Sequence, residues 1–193
     1  MTTDQGADRA DGPGPGDGPG WLLLIYRVPP EPTRLRSTVW RRIKSLGAIY
    51  LQNSVAALPA STANERALRK LRHEITDMSG TAMLMSVSVL AGEPEVLAMF
   101  QAARNDEYEE IVDKCQDFLG QVQKEYDENH FTYAELEENE VDLVKLRSWF
   151  AKIVERDVFG ASGRTACEQS LDKCEQSFEA YAARVYAEEA EGQ

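Results

Sequence analysis

Histidine and cysteine, which carry much of metal and redox chemistry, are scarce in this chain. Only His73 and His130 occur, with Cys115, Cys167 and Cys174. Neither histidine has a Cys, His or paired carboxylate at a recognised metal-ligand spacing, and there is no C-x-x-C. Cys167 and Cys174 are about two helical turns apart, too far for one tetrahedral ion without further ligands. They alternate with Leu171 and Phe178 on one apolar face and read as buried structural thiols. A phosphate-binding loop, a dinucleotide fingerprint, a Ser-His-Asp pattern and H-E-x-x-H are all missing. The acids Glu135, Glu137, Glu138, Glu140 and Asp142 lack the Glu-x-x-His partners of a di-metal bundle and read as a solvated helix start. The expectation is a non-enzymatic protein with no cofactor and no metal.

Long hydrophobic runs are also missing. No segment approaches the roughly 18–20 apolar residues that a bilayer crossing needs. The first residues, TTDQGADRADGPGPGDGPG, have no apolar stretch for a signal peptide and too little to pack, so a disordered tail is expected over 1–20. With three cysteines that suit a reducing compartment, a cytoplasmic location and no membrane partner are expected.

What is present is charge, divided by sign. The chain of 193 residues carries −12 overall. Residues 21–90 hold ten Lys/Arg against four Asp/Glu, a net of +6, and residues 91–193 hold ten against twenty-five, a net of −15. An anionic partner belongs with the first half, because binding follows local potential rather than the total.

Hydrophobic periodicity divides the chain in the same place. Trp21–Val28 reads as a buried strand ended by Pro29-Pro30. Pro32 suits a first helical turn, Leu35, Val39, Ile43 and Leu46 form an inward stripe, and Gly47 stops the helix. Ala48–Gln52 and Val55–Leu58 read as a hairpin turning at Asn53-Ser54. Thr62 opens a second helix with Glu65 as a capping box, Leu68, Leu71 and Ile75 face inward, and Gly80 ends it. Thr81–Leu90 is a fourth strand. The order βαββαβ predicts an α+β chain: a ferredoxin-like basic unit over 21–91, then an all-α acidic helical bundle over 92–193. In the bundle, Tyr108 to Tyr126, Leu136 to Ile153 and Cys167 to Val185 mark three helices, with breaks near Asn129–Thr132 and Phe159–Gly163. The last stripe steps by four and three like a heptad, which makes it a candidate seam for a homo-oligomer or partner helix.

The candidate binding residues are Arg34, Arg36, Trp40, Arg41, Arg42 and Lys44, with no acid between Thr33 and Gly47. Guanidinium groups pair with phosphate or another tetrahedral oxyanion through forked hydrogen bonds, and Trp40 adds a stacking surface at the margin of the helix. Helices packed side by side would merge this set with Arg66, Arg69 and Arg72 into one patch. An intramolecular reading stands beside this one, in which the basic surface docks on the acidic bundle. A small ferredoxin-like nuclease would need an acid near the end of the first strand, where Tyr26-Arg27-Val28 stands instead.

These blocks together resemble the N-terminal region of the ChrB chromate-resistance family. The carriers are WLLLIYRVP at Trp21–Pro29, E-P-x-R-L-R-x-x-x-W-R-R at Glu31–Arg42 and LGAIYLQNSVAALP at Leu46–Pro59. Asp106–Glu110, Cys115–Leu119, FTYAELEENE at Phe131–Glu140 and RDVFGA at Arg156–Ala161 continue it. The resemblance implies a chromate-responsive regulator, with DNA or the chromate oxyanion as ligands of the basic helix. The first unit also resembles the middle domain of PaaX-type repressors, but no winged helix-turn-helix motif precedes it here.

Overall fold

A computed structural model of the chain describes residues 20–191. Apart from Gly20, the tail expected over 1–20 lies outside them. The described residues divide into two compact units after Val96.

The first unit runs β1 (Trp21–Arg27), α1 (Arg34–Ser45), β2 (Ile49–Gln52), β3 (Val55–Pro59), α2 (Thr62–Asp77) and β4 (Thr81–Val87). The strands form one antiparallel sheet in the order β2-β3-β1-β4, which is the ferredoxin-like arrangement. Register places Leu24 opposite both Ala56 and Leu84, and Leu22 opposite Leu58. That sheet face meets Val39 and Ile43 of α1 and Leu68, Leu71 and Ile75 of α2, the unit's buried core. Each such side chain contributes roughly 1.5–3 kcal/mol relative to exposure. The Tyr26 and Tyr50 hydroxyls hydrogen-bond at 2.9 Å across β1 and β2.

Several boundaries differ from expectation for local reasons. Pro32 lies ahead of α1 rather than in its first turn, and its carbonyl accepts from the Leu35 N–H. The cap of α2 is Ser61, whose Oγ accepts from the Asn64 N–H at 3.1 Å, not Thr62 with Glu65. Thr62 is already helical, so the extended residue before it takes the capping role. Strand β4 ends at Val87 rather than Leu90, which is 89% exposed.

The second unit is built on α3 (Glu93–Glu128), α4 (Tyr133–Arg156) and α5 (Arg164–Glu191). Links of a few residues make successive helices antiparallel neighbours. Their shared core runs from Tyr108, Ile111, Cys115 and Val122 through Leu143 and Ile153 to Cys174, Tyr181 and Val185. Near the link after α3, Tyr126, Phe131 and Tyr181 pack edge-on or tilted, and the Tyr181 hydroxyl donates to the His130 carbonyl at 2.5 Å. All three cysteines are free and buried. The heptad-like stripe of α5 is consumed inside this bundle, since Cys167, Leu171, Cys174, Tyr181 and Val185 are buried there. No helix of the described residues is long and apolar enough to cross a membrane.

Candidate anion and nucleic-acid interface

Helix α1 buries Val39 and Ile43, and this fixes where every other side chain points. Arg34 and Arg41 lie opposite the buried stripe. Arg36, Trp40 and Lys44, spaced by four, form a row along one flank. All are exposed, and Trp40 is 52% exposed between its two cationic neighbours. From Arg34 to Lys44 the set extends about 15 Å along the helix axis. Arg36 donates to the Pro30 carbonyl at 2.8 Å and Arg41 to the Ser37 carbonyl at 3.3 Å, contacts that orient the guanidinium groups without neutralising them. Among the described residues, no carboxylate lies within ion-pair distance of Arg34, Arg36, Arg41 or Lys44.

Arg42 is the exception. It points toward α2 and meets Glu74 at 3.2 Å, above a crevice lined by Ser45, Leu46, Ala67, Lys70 and Leu71. Of the α2 cations expected to join α1 in one patch, Arg69 and Arg72 do not, because α2 divides its cations. Lys70 faces α1, whereas Arg69, Arg72 and His73 line a groove on the far flank, beside β4. Arg69 is paired with Glu65 at 2.6 Å and Arg72 donates to the Ala82 carbonyl at 3.2 Å. The α1 cations and the far flank of α2 are therefore two separate basic features.

In the second unit the structure gathers a set that sequence reasoning passed over. Arg104, 2% exposed, pairs with Glu107 at 3.2 Å, and Arg156 meets the same carboxylate at 3.0 Å. Beside them Tyr108 donates to Asp157. Burial lowers the Arg104 pKa, with Glu107 opposing that shift. The signal for Arg104 was its place in the row Phe100–Arg104–Tyr108–Ile111, at core spacing. Glu125 and Asn139 occupy core positions of α3 and α4 in the same way. No group of three or more His, Cys, Asp or Glu side chains is arranged to hold a metal among the described residues.

Two comparisons bear on identity. A family model described as "Protein ChrB, N-terminal" matches residues 36–192, from the middle of α1 to the end of α5. Protein ChrB of Cupriavidus metallidurans is 32% identical over 92 residues, an alignment covering 47% of this chain and only 28% of that protein.

Proposed function

The chain belongs to the family defined by the N-terminal region of ChrB, and from that premise we propose that it is a non-enzymatic regulatory protein of chromate resistance that engages DNA phosphates through α1. The observation that carries the reading is the row of Arg34, Arg36, Arg41 and Lys44, uncompensated by carboxylates around an exposed Trp40, in a chain whose total charge is −12. A span of about 15 Å covers roughly four phosphate steps at 3.4 Å of axial rise per strand. Such contacts position a protein on a duplex and carry no base information by themselves, so affinity from α1 is steeply dependent on salt. A tetrahedral dianion such as chromate matches the same guanidinium groups and competes for them.

The test is fluorescence anisotropy with the duplex upstream of the chain's own coding region and a scrambled duplex. Salt is varied, with and without chromate. R41E/K44E is expected to reduce the magnitude of the slope of log K against log salt by about 1.8, from two lost phosphate contacts. R42Q, which removes a cation already paired with Glu74, should leave it nearly unchanged. An unchanged slope in R41E/K44E overturns the reading.

A further inference from the structure

Strand β4 is an edge of the sheet, paired with β1 alone among the described strands. The direction of its backbone follows from two hydrogen bonds. Tyr26 donates its N–H to Ser54, toward the β3 side of β1, so the Tyr26–Ala82 pair is not hydrogen-bonded within the β1–β4 ladder. Correspondingly, the Ala82 carbonyl points off the edge, where it accepts from Arg72 Nε at 3.2 Å. By alternation the N–H and C=O groups of Leu84 and Ser86 point off the edge too. Residues 82–86 of the strand line a groove of about 690 Å³, whose other wall is the α2 flank carrying Arg69, Arg72 and His73, with Glu65 beside Arg69. On the opposite face of the same strand, Met83 is 60% exposed and Met85 half-buried.

We infer that this edge is a docking strand for an extended acidic segment of another protein, added to the sheet beside β4. Main-chain pairing to Leu84 and Ser86 supplies affinity that does not depend on sequence. Specificity follows from the two faces of the added strand. Its residues opposite Ala82, Leu84 and Ser86 point toward Arg72 and His73, and toward Arg69, which an incoming carboxylate shares with Glu65; two arginines against one acid still favour Asp or Glu. The residues between them lie beside Met83 and Met85, which favours apolar side chains. The recognised pattern is therefore acid and apolar in strict alternation. Arg72, folded over the Ala82 carbonyl, guards the edge against indiscriminate pairing and must swing away when the strand adds.

The experiment uses the full chain and three labelled heptapeptides, read by fluorescence anisotropy. One alternates Glu with Val, one has the same composition with its acids in a block, and one is the alternating peptide with N-methylated backbone amides. The alternating peptide is expected to bind at least about tenfold more tightly than either control. R69E/R72E should abolish that preference, while R41E/K44E on α1 leaves it intact, which separates this surface from the proposed DNA contact. Amide exchange at Leu84 and Ser86 is expected to slow when the peptide is added, an observation independent of any variant. Equal binding of the blocked and alternating peptides overturns the proposal in favour of plain electrostatics. Displacement of the peptide by duplex DNA in a manner abolished by R69E/R72E reassigns the groove to phosphate. A dimer that dissolves on peptide addition reassigns the edge to a second copy of the chain.

Discussion

The Tyr108 hydroxyl donates to Asp157 Oδ2 at 3.0 Å, joining the first half of α3 to the residue that follows α4, forty-nine positions away. Both oxygens of Asp157 also accept from the Ala161 N–H, at 3.0 and 3.1 Å, so one carboxylate fastens the α4–α5 link to the core. Burial and this hydrogen bond both raise the tyrosine's pKa. Asp157→Ala leaves a buried hydroxyl and a backbone N–H without acceptors and is expected to cost about 2–4 kcal/mol. Tyr108→Phe removes one donor cleanly and should cost about 1 kcal/mol. Urea unfolding followed by far-UV circular dichroism checks the ranking. Equal losses would show that the Ala161 bond adds nothing.

Helix ends separate what could be read from the sequence from what could not. Three helices end in the same motif, with a left-handed residue at Gly47, Ser79 or Asn129 and paired bonds back into the last turn. Gly47 announced itself, but the left-handed residue after α2 is Ser79, not the neighbouring Gly80 that marks the stop in the sequence. Gly80 is required for space instead. A Cβ there would stand 2.6 Å from the Arg27 carbonyl oxygen and 2.8 Å from Ile75 Cγ2. Periodicity located the four strands and five helices because apolar spacing is a local property. It could not show which flank of α2 carries which cation, because that depends on how the helix sits on the sheet. Thus Arg42 and Lys70 came together while Arg69 and Arg72 turned away. Arg104 was hidden for a related reason, as one charge among many until its position in the apolar row is counted.

The two residues at the end of α2 predict opposite outcomes. Ser79→Gly relieves a left-handed conformation (φ 60°) and should stabilise the first unit by about 0.5–1 kcal/mol. Gly80→Ala drives a methyl group into backbone and should cost about 1–3 kcal/mol. Thermal unfolding of both variants reads the difference. Stabilisation by Gly80→Ala would contradict the close approach to Arg27.

The buried thiols should be silent and should make the fold sensitive to alkali. Burial, with Cys115 and Glu168 nearby, pushes the Cys167 thiol up to about 12. Cys174 is raised by its hydrogen bond with Cys115 and by burial, whereas Cys115, on the accepting side, is drawn downward. Burial opposes forming either thiolate of the pair. For Cys167 the folded value lies above the unfolded value of about 8.5, so its contribution is complete below that pH and is lost as pH rises toward 12. Tyr108, also raised, acts in the same direction at higher pH. Urea midpoints should be insensitive to these groups between about pH 7 and 8 and fall above about pH 9. A thiol-specific disulfide reagent without denaturant should find all three cysteines slow. Rapid reaction of any one would reopen a redox role that burial argues against.

Trp40 offers the most direct reading of the basic helix. It stands 52% exposed in the row Arg36–Trp40–Lys44, whereas Trp21 is buried and Trp149 half-buried. Uncompensated cations concentrate iodide around the indole and exclude caesium, so iodide should quench its fluorescence more strongly than caesium at low ionic strength. Added inert salt should narrow the gap as the screening length falls to about 10 Å at 0.1 M. Trp40→Phe should remove the iodide-sensitive fraction, and R36E/K44E should invert the preference while leaving the tryptophan in place. The same measurement separates the two readings of the charged halves. A helix turned toward solvent and DNA shows the full iodide preference, and duplex DNA then protects Trp40 from the quencher. A helix docked on acidic side chains shows equal, weak quenching by both ions, and DNA changes nothing.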